Sequence, residues 1–194
     1  MIGGLILGAG AGRRFGGAKQ LATVGGELLV ERAVRQMASV GELDDVVLVL
    51  GADAELIART ASLDGARVVT CPDWSEGQAA SLRCGIAALG DVDGVLVTLV
   101  DQPFVGAAAI ERVLRARRPG SAAVRATYDG VAGHPVLLER DVLPAVLALR
   151  GDVGARAVLS GADVVGVPCE DVAEPADVDT PADLAELRAR ADGR

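Results

Sequence analysis

An apolar run at the start of the chain, Ile2–Leu7, passes directly into Gly8-Ala9-Gly10-Ala11-Gly12-Arg13-Arg14-Phe15-Gly16-Gly17-Ala18-Lys19. Glycines at the end of a strand leave bare backbone N–H groups that can donate to phosphate oxygens. Arg14 and Lys19 add positive charge in reach of the same loop, enough to neutralise part of a triphosphate. A mobile surface loop with solvated cations is the other use of such residues. Two nucleotide motifs fail residue by residue. The dinucleotide pattern GxGxxG meets Arg13 when it starts at Gly8 and Phe15 when it starts at Gly10. The P-loop pattern GxxxxGK followed by Ser or Thr meets Ala18 and Gln20. The sequence thus argues against both an NAD site of that type and a P-loop NTPase.

Asp101 closes the apolar run Gly94–Val100. That puts it at the carboxyl end of a strand, where open α/β sheets receive ligands. A lone carboxylate there suits Mg²⁺ (or Mn²⁺), which is completed by water and phosphate oxygens; a turn aspartate ahead of Pro103 would look the same. Asp177 and Asp179 precede Thr180-Pro181, a strong helix start. In extended chain they point to opposite faces, so one of them could reach a metal, and either could cap the helix. His134 is the single histidine; a structural role and a substrate contact are both open to it. Trp74 fits either a substrate wall or a lid on the core, and Arg156 either an anion contact or a surface ion pair.

These residues must be positioned by a regular frame. Short apolar runs at Ile2–Leu7, Val46–Leu50, Ala66–Thr70 and Val95–Val100 read as strands buried on both faces. Helical stretches lie between them at Leu28–Ser39, with Leu29, Ala33 and Met37 as its apolar face, at Ala54–Ser62 and at Gln78–Leu89. Further on, a helix is expected over Ala107–Ala116. Ala122–Thr127 and Val131–Leu138 flank Tyr128-Asp129-Gly130, a hairpin signal. Helical pieces follow at Asp141–Leu149, where Pro144 suggests the helix starts near it, and at Ala155–Leu159, then a strand at Val164–Val167 and a final helix over Ala182–Ala191. The alternation predicts an α/β fold with a largely parallel sheet.

Composition narrows the class. The chain has 194 residues, 51% hydrophobic but only 2% aromatic, so Ala, Val, Leu and Ile must build the core. Its formal charge of -8, from 19 basic and 27 acidic residues, disfavours nucleic acid and anionic membranes as partners. No apolar stretch approaches the roughly 20 residues of a membrane span, and the opening places Arg after its apolar run, where a secretory signal is expected to carry its positive charge before it. Three cysteines, Cys71, Cys84 and Cys169, form no CxxC. They read as small core or surface residues of a cytoplasmic protein, without disulfide or zinc.

The segment LGAGAGRRFGGAK resembles the LxAGxSxRMGxxK signature of MobA-like nucleotidyltransferases, and within them the molybdenum cofactor cytidylyltransferases. Gly12 stands in place of Ser and Phe15 in place of Met. Five further blocks follow in order: Cys71–Leu82 is similar to NPxWxxGxxxSL, Val100–Val105 to GDQPxV (Val100 replacing Gly), Gly133–Val136 to GHPV, Gly151–Arg156 to GDxGAR, and Asp177–Leu184 to DIDTPEDL. The resemblance implies one such domain over 1–194, a three-layer α/β/α Rossmann-like, mostly parallel sheet with a small antiparallel edge.

It also implies an activity: CTP and molybdenum cofactor give the cytosine dinucleotide form and pyrophosphate. GTP or a sugar phosphate are alternative substrates, and transient contact with a molybdenum hydroxylase, or a non-catalytic chaperone role for one, an alternative setting. Carried over residue by residue, Leu7, Gly8, Ala9, Gly10, Gly12, Arg14, Lys19, Ser81 and Asp101 would hold the nucleotide. Arg14, Lys19 and Asp101 would act in catalysis. Trp74, with Ser81 beside it, Gln102 and His134 would face the second substrate. Asp101 with Asp179 or Asp177 would bind the metal. Ala9 occupies the place where guanylyl relatives carry Gly, which implies a bias to cytosine.

Overall fold

The computed structural model describes residues 1–192. Its strands are β1 (Ile2–Gly8), β2 (Thr23–Val24), β3 (Glu27–Leu28), β4 (Asp45–Leu50), β5 (Arg67–Thr70), β6 (Gly94–Leu99), β7 (Ala123–Tyr128), β8 (Val131–Glu139) and β9 (Val164–Pro168). The helices are α1 (Leu29–Ala38), α2 (Ala54–Thr60), α3 (Gln78–Leu89), α4 (Ala107–Arg115), α5 (Leu143–Leu147) and α6 (Pro181–Asp192).

Seven strands form one sheet in the order β5-β4-β1-β6-β8-β7-β9, and β2 and β3 pair separately as a small antiparallel ribbon. β1 runs parallel to β4 and β6, β4 to β5, and β7 to β9; β8 is antiparallel to both its neighbours. The β7–β8 hairpin turns at Asp129 and Gly130, both at positive φ (50° and 79°), the conformation a two-residue turn needs.

Alternation along the central strands divides the core in two. Ile6, Leu48, Leu50 and Leu96 face one side, where Val30, Val34 and Met37 of α1, Ile110 and Val113 of α4 and Leu184 and Leu187 of α6 cover them. Leu5, Leu7, Val47, Val49, Val95 and Val97 face the other, under α3 and α5. The result is the expected three-layer sandwich. Each such side chain contributes about 1.5–3 kcal/mol on burial, so aliphatics alone sustain a core with almost no aromatics. Gly85 lets α3 approach the sheet: a Cβ there would lie 2.2 Å from Leu5.

Four local readings change. β5 is a sheet edge with Arg67, Val68 and Thr70 exposed, not a strand buried on both faces. The buried stripe of α1 is Leu29, Val30, Val34 and Met37, with Ala33 turned partly outward. The helix expected over 141–149 starts beside Pro144 as its position suggests but ends already at Leu147, and a 3-10 turn at Arg140–Val142 precedes it. Only a 3-10 turn, Ala155–Ala157, forms where 155–159 suggested a helix.

The chain builds outward from β1 to β4 and β5, then crosses back to β6 on the other side of β1. That reversal opens a crevice beyond the carboxyl ends of β1 and β6, the general location for ligands in such sheets.

Candidate active site

The loop after β1 is organised by its carbonyls. The Gly12 carbonyl accepts from the N–H groups of Phe15 (2.9 Å), Gly16 (2.8 Å) and Gly17 (3.3 Å). Gly12 sits at φ 58°, and a Cβ there would lie 2.1 Å from the Gly17 carbonyl oxygen, so this turn requires glycine at that position. The Ala9 carbonyl accepts from Ala52 N–H (3.0 Å). The Gln20 carboxamide donates to the carbonyls of Gly8 (2.6 Å) and Gly10 (2.8 Å). Among the described residues, the backbone N–H groups of Gly10 to Arg14 have no acceptor. The loop thus spends its acceptors internally and keeps its donors for something else, the arrangement that binds anions.

Lys19, at the start of a 3-10 turn, reaches from this loop to Asp101 Oδ2 (2.6 Å) and Asp179 Oδ1 (3.2 Å). Arg14 pairs with Asp179 Oδ2 at 2.9 Å and keeps 74% of its side chain exposed. Burial alone would lower the Lys19 ammonium; the Asp101 and Asp179 carboxylates outweigh it and the net shift is upward, so Lys19 stays charged.

Asp101 follows β6, and its carbonyl accepts from Val178 N–H (2.9 Å), which straps residues 177–179 to it. The start of α6 is capped by other groups: Thr180 Oγ1 accepts from Asp183 N–H (3.2 Å), and Asp183 Oδ2 accepts from the N–H groups of Asp179 (3.0 Å) and Thr180 (2.7 Å). That leaves the Asp179 carboxylate turned to the cations. Asp177 points elsewhere and accepts from Gln102 Nε2 (2.9 Å). Burial raises its pKa first, the nearby Asp101 and Asp179 charges raise it further, and the Gln102 bond only partly offsets them.

Asp101 Oδ1 is buried and has no hydrogen-bond partner. An orphaned carboxylate oxygen beside a second carboxylate and a phosphate-type loop suits a hard divalent cation. Among the described residues no three His, Cys, Asp or Glu side chains gather into a metal cage. Asp101 and Asp179, which share Lys19, would hold such a cation, while Asp177 Oδ1 is engaged by Gln102.

Two clefts flank this cluster. The glycine loop, Lys19, Gln20, Trp74, Ser81 and Asp101 line one of about 410 Å³. Gln102, Phe104, Arg125, Tyr128, His134 and Arg156 line a larger one of about 1280 Å³. Trp74 therefore stands with the glycine loop and not with Gln102 and His134, because the turn Trp74–Glu76 precedes α3 beside β1. Ser81, on the first turns of α3, shares that cleft. His134 is partly buried; loss of water pushes its pKa down to about 4, only partly countered by Asp101. It is neutral at pH 7 and offers both a donor and an acceptor. Tyr128 Oη donates to the His134 carbonyl (2.7 Å).

The cysteine reading needs correction. Cys71, after β5, and Cys84, on α3, form a disulfide with Cα atoms 5.8 Å apart, while Cys169 is free and buried. An odd total and a spacing of 13 residues gave no hint that β5 and α3 pack side by side. Gln20, in sequence only a mismatch to the P-loop pattern, and Arg125, whose place on a strand gives no local sign of function, come to the clefts only through the fold.

A donor loop, a lysine and two carboxylates at the switch point of a parallel sheet, between two clefts, define an α/β enzyme that handles phosphates. The chain belongs to the MobA-like NTP transferase domain family, which it matches over residues 4–167, and is a nucleotidyltransferase of that family. It is 38% identical over 187 residues to nicotine blue oxidoreductase of Paenarthrobacter nicotinovorans, covering 91% of each chain. It is also similar to solved structures of Rv0371c from Mycobacterium tuberculosis H37Rv. One has a TM-score of 0.87 and 29% identity over 97% of both chains. A complex of that protein with manganese has a TM-score of 0.82 and 27% identity, over 97% of this chain and 98% of the other.

Proposed function

We propose that this protein transfers a cytidylyl group from CTP to the phosphate of molybdenum cofactor, forming the cytosine dinucleotide and releasing pyrophosphate. The observation that carries this reading is the Lys19–Asp101–Asp179 cluster between the two clefts. The triphosphate would take the unpaired N–H groups of the glycine loop, with Lys19 and Arg14 on its oxygens. The acceptor would lie in the larger cleft, where Arg125 and Arg156 have no carboxylate partner among the described residues and can meet an anion. That cleft exceeds the ~300–1,000 Å³ of common small-molecule sites, which favours a bulky acceptor over a simple sugar phosphate.

An acceptor phosphate oxygen attacks the α-phosphorus, the bond to the β-phosphate oxygen breaks, and pyrophosphate leaves with the electron pair. A phosphate monoester is largely ionised at neutral pH, with a second pKa near ~6, so no protein base is required. This chain's residues align the two groups and hold the developing charge. A divalent cation on Asp101 and Asp179, Mg²⁺ or Mn²⁺, would supply further charge neutralisation of the phosphates.

The test offers each NTP with molybdenum cofactor and measures pyrophosphate release. CTP-dependent release supports the proposal; release with another NTP or only with a sugar phosphate reassigns the substrates within the family. A second reading rests on the relative named as an oxidoreductase. The same preparations assayed for reduced-nicotinamide oxidation, with no pyrophosphate formed, would favour it.

A further inference from the structure

We propose that Gln20 is the residue that positions the nucleotide loop; the inference rests on the phosphate role given to that loop above. Gln20 is 2% exposed. Each hydrogen of its Nε2 group goes to a different carbonyl, Gly8 at the end of β1 and Gly10 in the loop. An amide is suited to this, since Nε2 carries two donors in a fixed plane. Both carbonyls are thereby turned to the protein side, and the N–H groups that follow them, Gly10 to Arg14, are left without acceptors.

Gln20 also follows Lys19 directly, so one short 3-10 turn sets both the loop and the cation that faces Asp101. Its Oε1 is buried and unpaired. The structure thus keeps a costly orphan acceptor in order to retain the two donors. A glutamate would fit the same space, yet its carboxylate would face two carbonyl oxygens. A methionine would fill the volume and donate nothing.

The experiment uses Gln20→Glu, Gln20→Met and Lys19→Met, with nucleotide affinity read from the fluorescence of Trp74, the single tryptophan, which lines the same cleft. Both Gln20 variants should raise the Kd for NTP by about tenfold or more, the scale of two lost hydrogen bonds. KM for NTP should rise more than kcat falls, because the loop positions the triphosphate and does not touch the acceptor. Wild-type binding that is lost in Lys19→Met but retained in Gln20→Met would overturn the Gln20 role and leave the functional reading standing. A wild type that binds no NTP would overturn both. Should the Gln20 variants not fold, nuclear magnetic resonance of the wild type decides. Both Gln20 side-chain amide protons should exchange slowly, and the amides of Gly10 to Arg14 should shift on adding NTP. Fast-exchanging side-chain protons would overturn the proposal.

Discussion

Asp101 has two oxygens with different lives: Oδ2 is held by Lys19, and Oδ1 is buried and unpaired. Asp101→Asn keeps the shape and removes the charge. We expect at least ~100-fold loss of turnover, typical of removing a key electrostatic group, with circular dichroism unchanged. Lys19→Met keeps the stem and removes the ammonium; it should fail as Lys19→Ala does, and recovered activity would make Lys19 a packing residue. Ala9 is buried at the rim of the smaller cleft, the proposed nucleotide site. One methyl is worth ~1–3 kcal/mol of discrimination, so Ala9→Gly should narrow a CTP-over-GTP preference in kcat/KM, and a wild type that prefers GTP would refute the cytidylyl reading.

His134 gives a pH prediction. Its folded pKa of about 4 lies below the unfolded value of about 6.5. The unfolded chain therefore binds the proton first on acidification. The stability tied to neutral His134 is complete above about pH 6.5 and disappears as pH falls towards 4. Denaturant titrations of wild type and His134→Gln across that range should show the wild type losing more stability on the acid side.

At the scale of elements, the Cys71–Cys84 bond joins the end of β5 to the middle of α3. The span between them carries Trp74, Gln78 and Ser81, all lining the smaller cleft. Closing a loop of this length stabilises by about 3 kcal/mol in the chain-entropy account. A dithiol should then lower Tm by several degrees, and Cys84→Ser should match the reduced protein and ignore the dithiol. An unchanged Tm, with three free thiols by titration in the untreated protein, would contradict the bond.

The elements also show where the sequence was legible. β1, α3 and the cap of α6 follow from local pattern: continuous apolar residues, helical spacing, and Thr180-Pro181 with Asp183. The exposed edge β5 and the stripe of α1 do not, because burial there depends on which elements lie outside them. Lys19, Asp101 and Asp179 could be named from their loops. That Lys19 joins both carboxylates could not, since the contacts span 82 and 160 residues. The Gln20 bridge is equally silent, for nothing in a Lys-Gln pair tells which carbonyls the amide will meet.

Over the whole molecule, Leu7, Gln78 and Leu99 belong to the walls of both clefts. The clefts are two arms of one trough with a common floor. Under the proposed transfer, a product made by joining the two substrates across that trough would occupy both arms, less the contacts that leave with pyrophosphate. Such a bridged molecule gains from the high effective concentration of its second half once the first is seated. Such a product should therefore compete with either substrate, which product-inhibition kinetics against each substrate in turn would show.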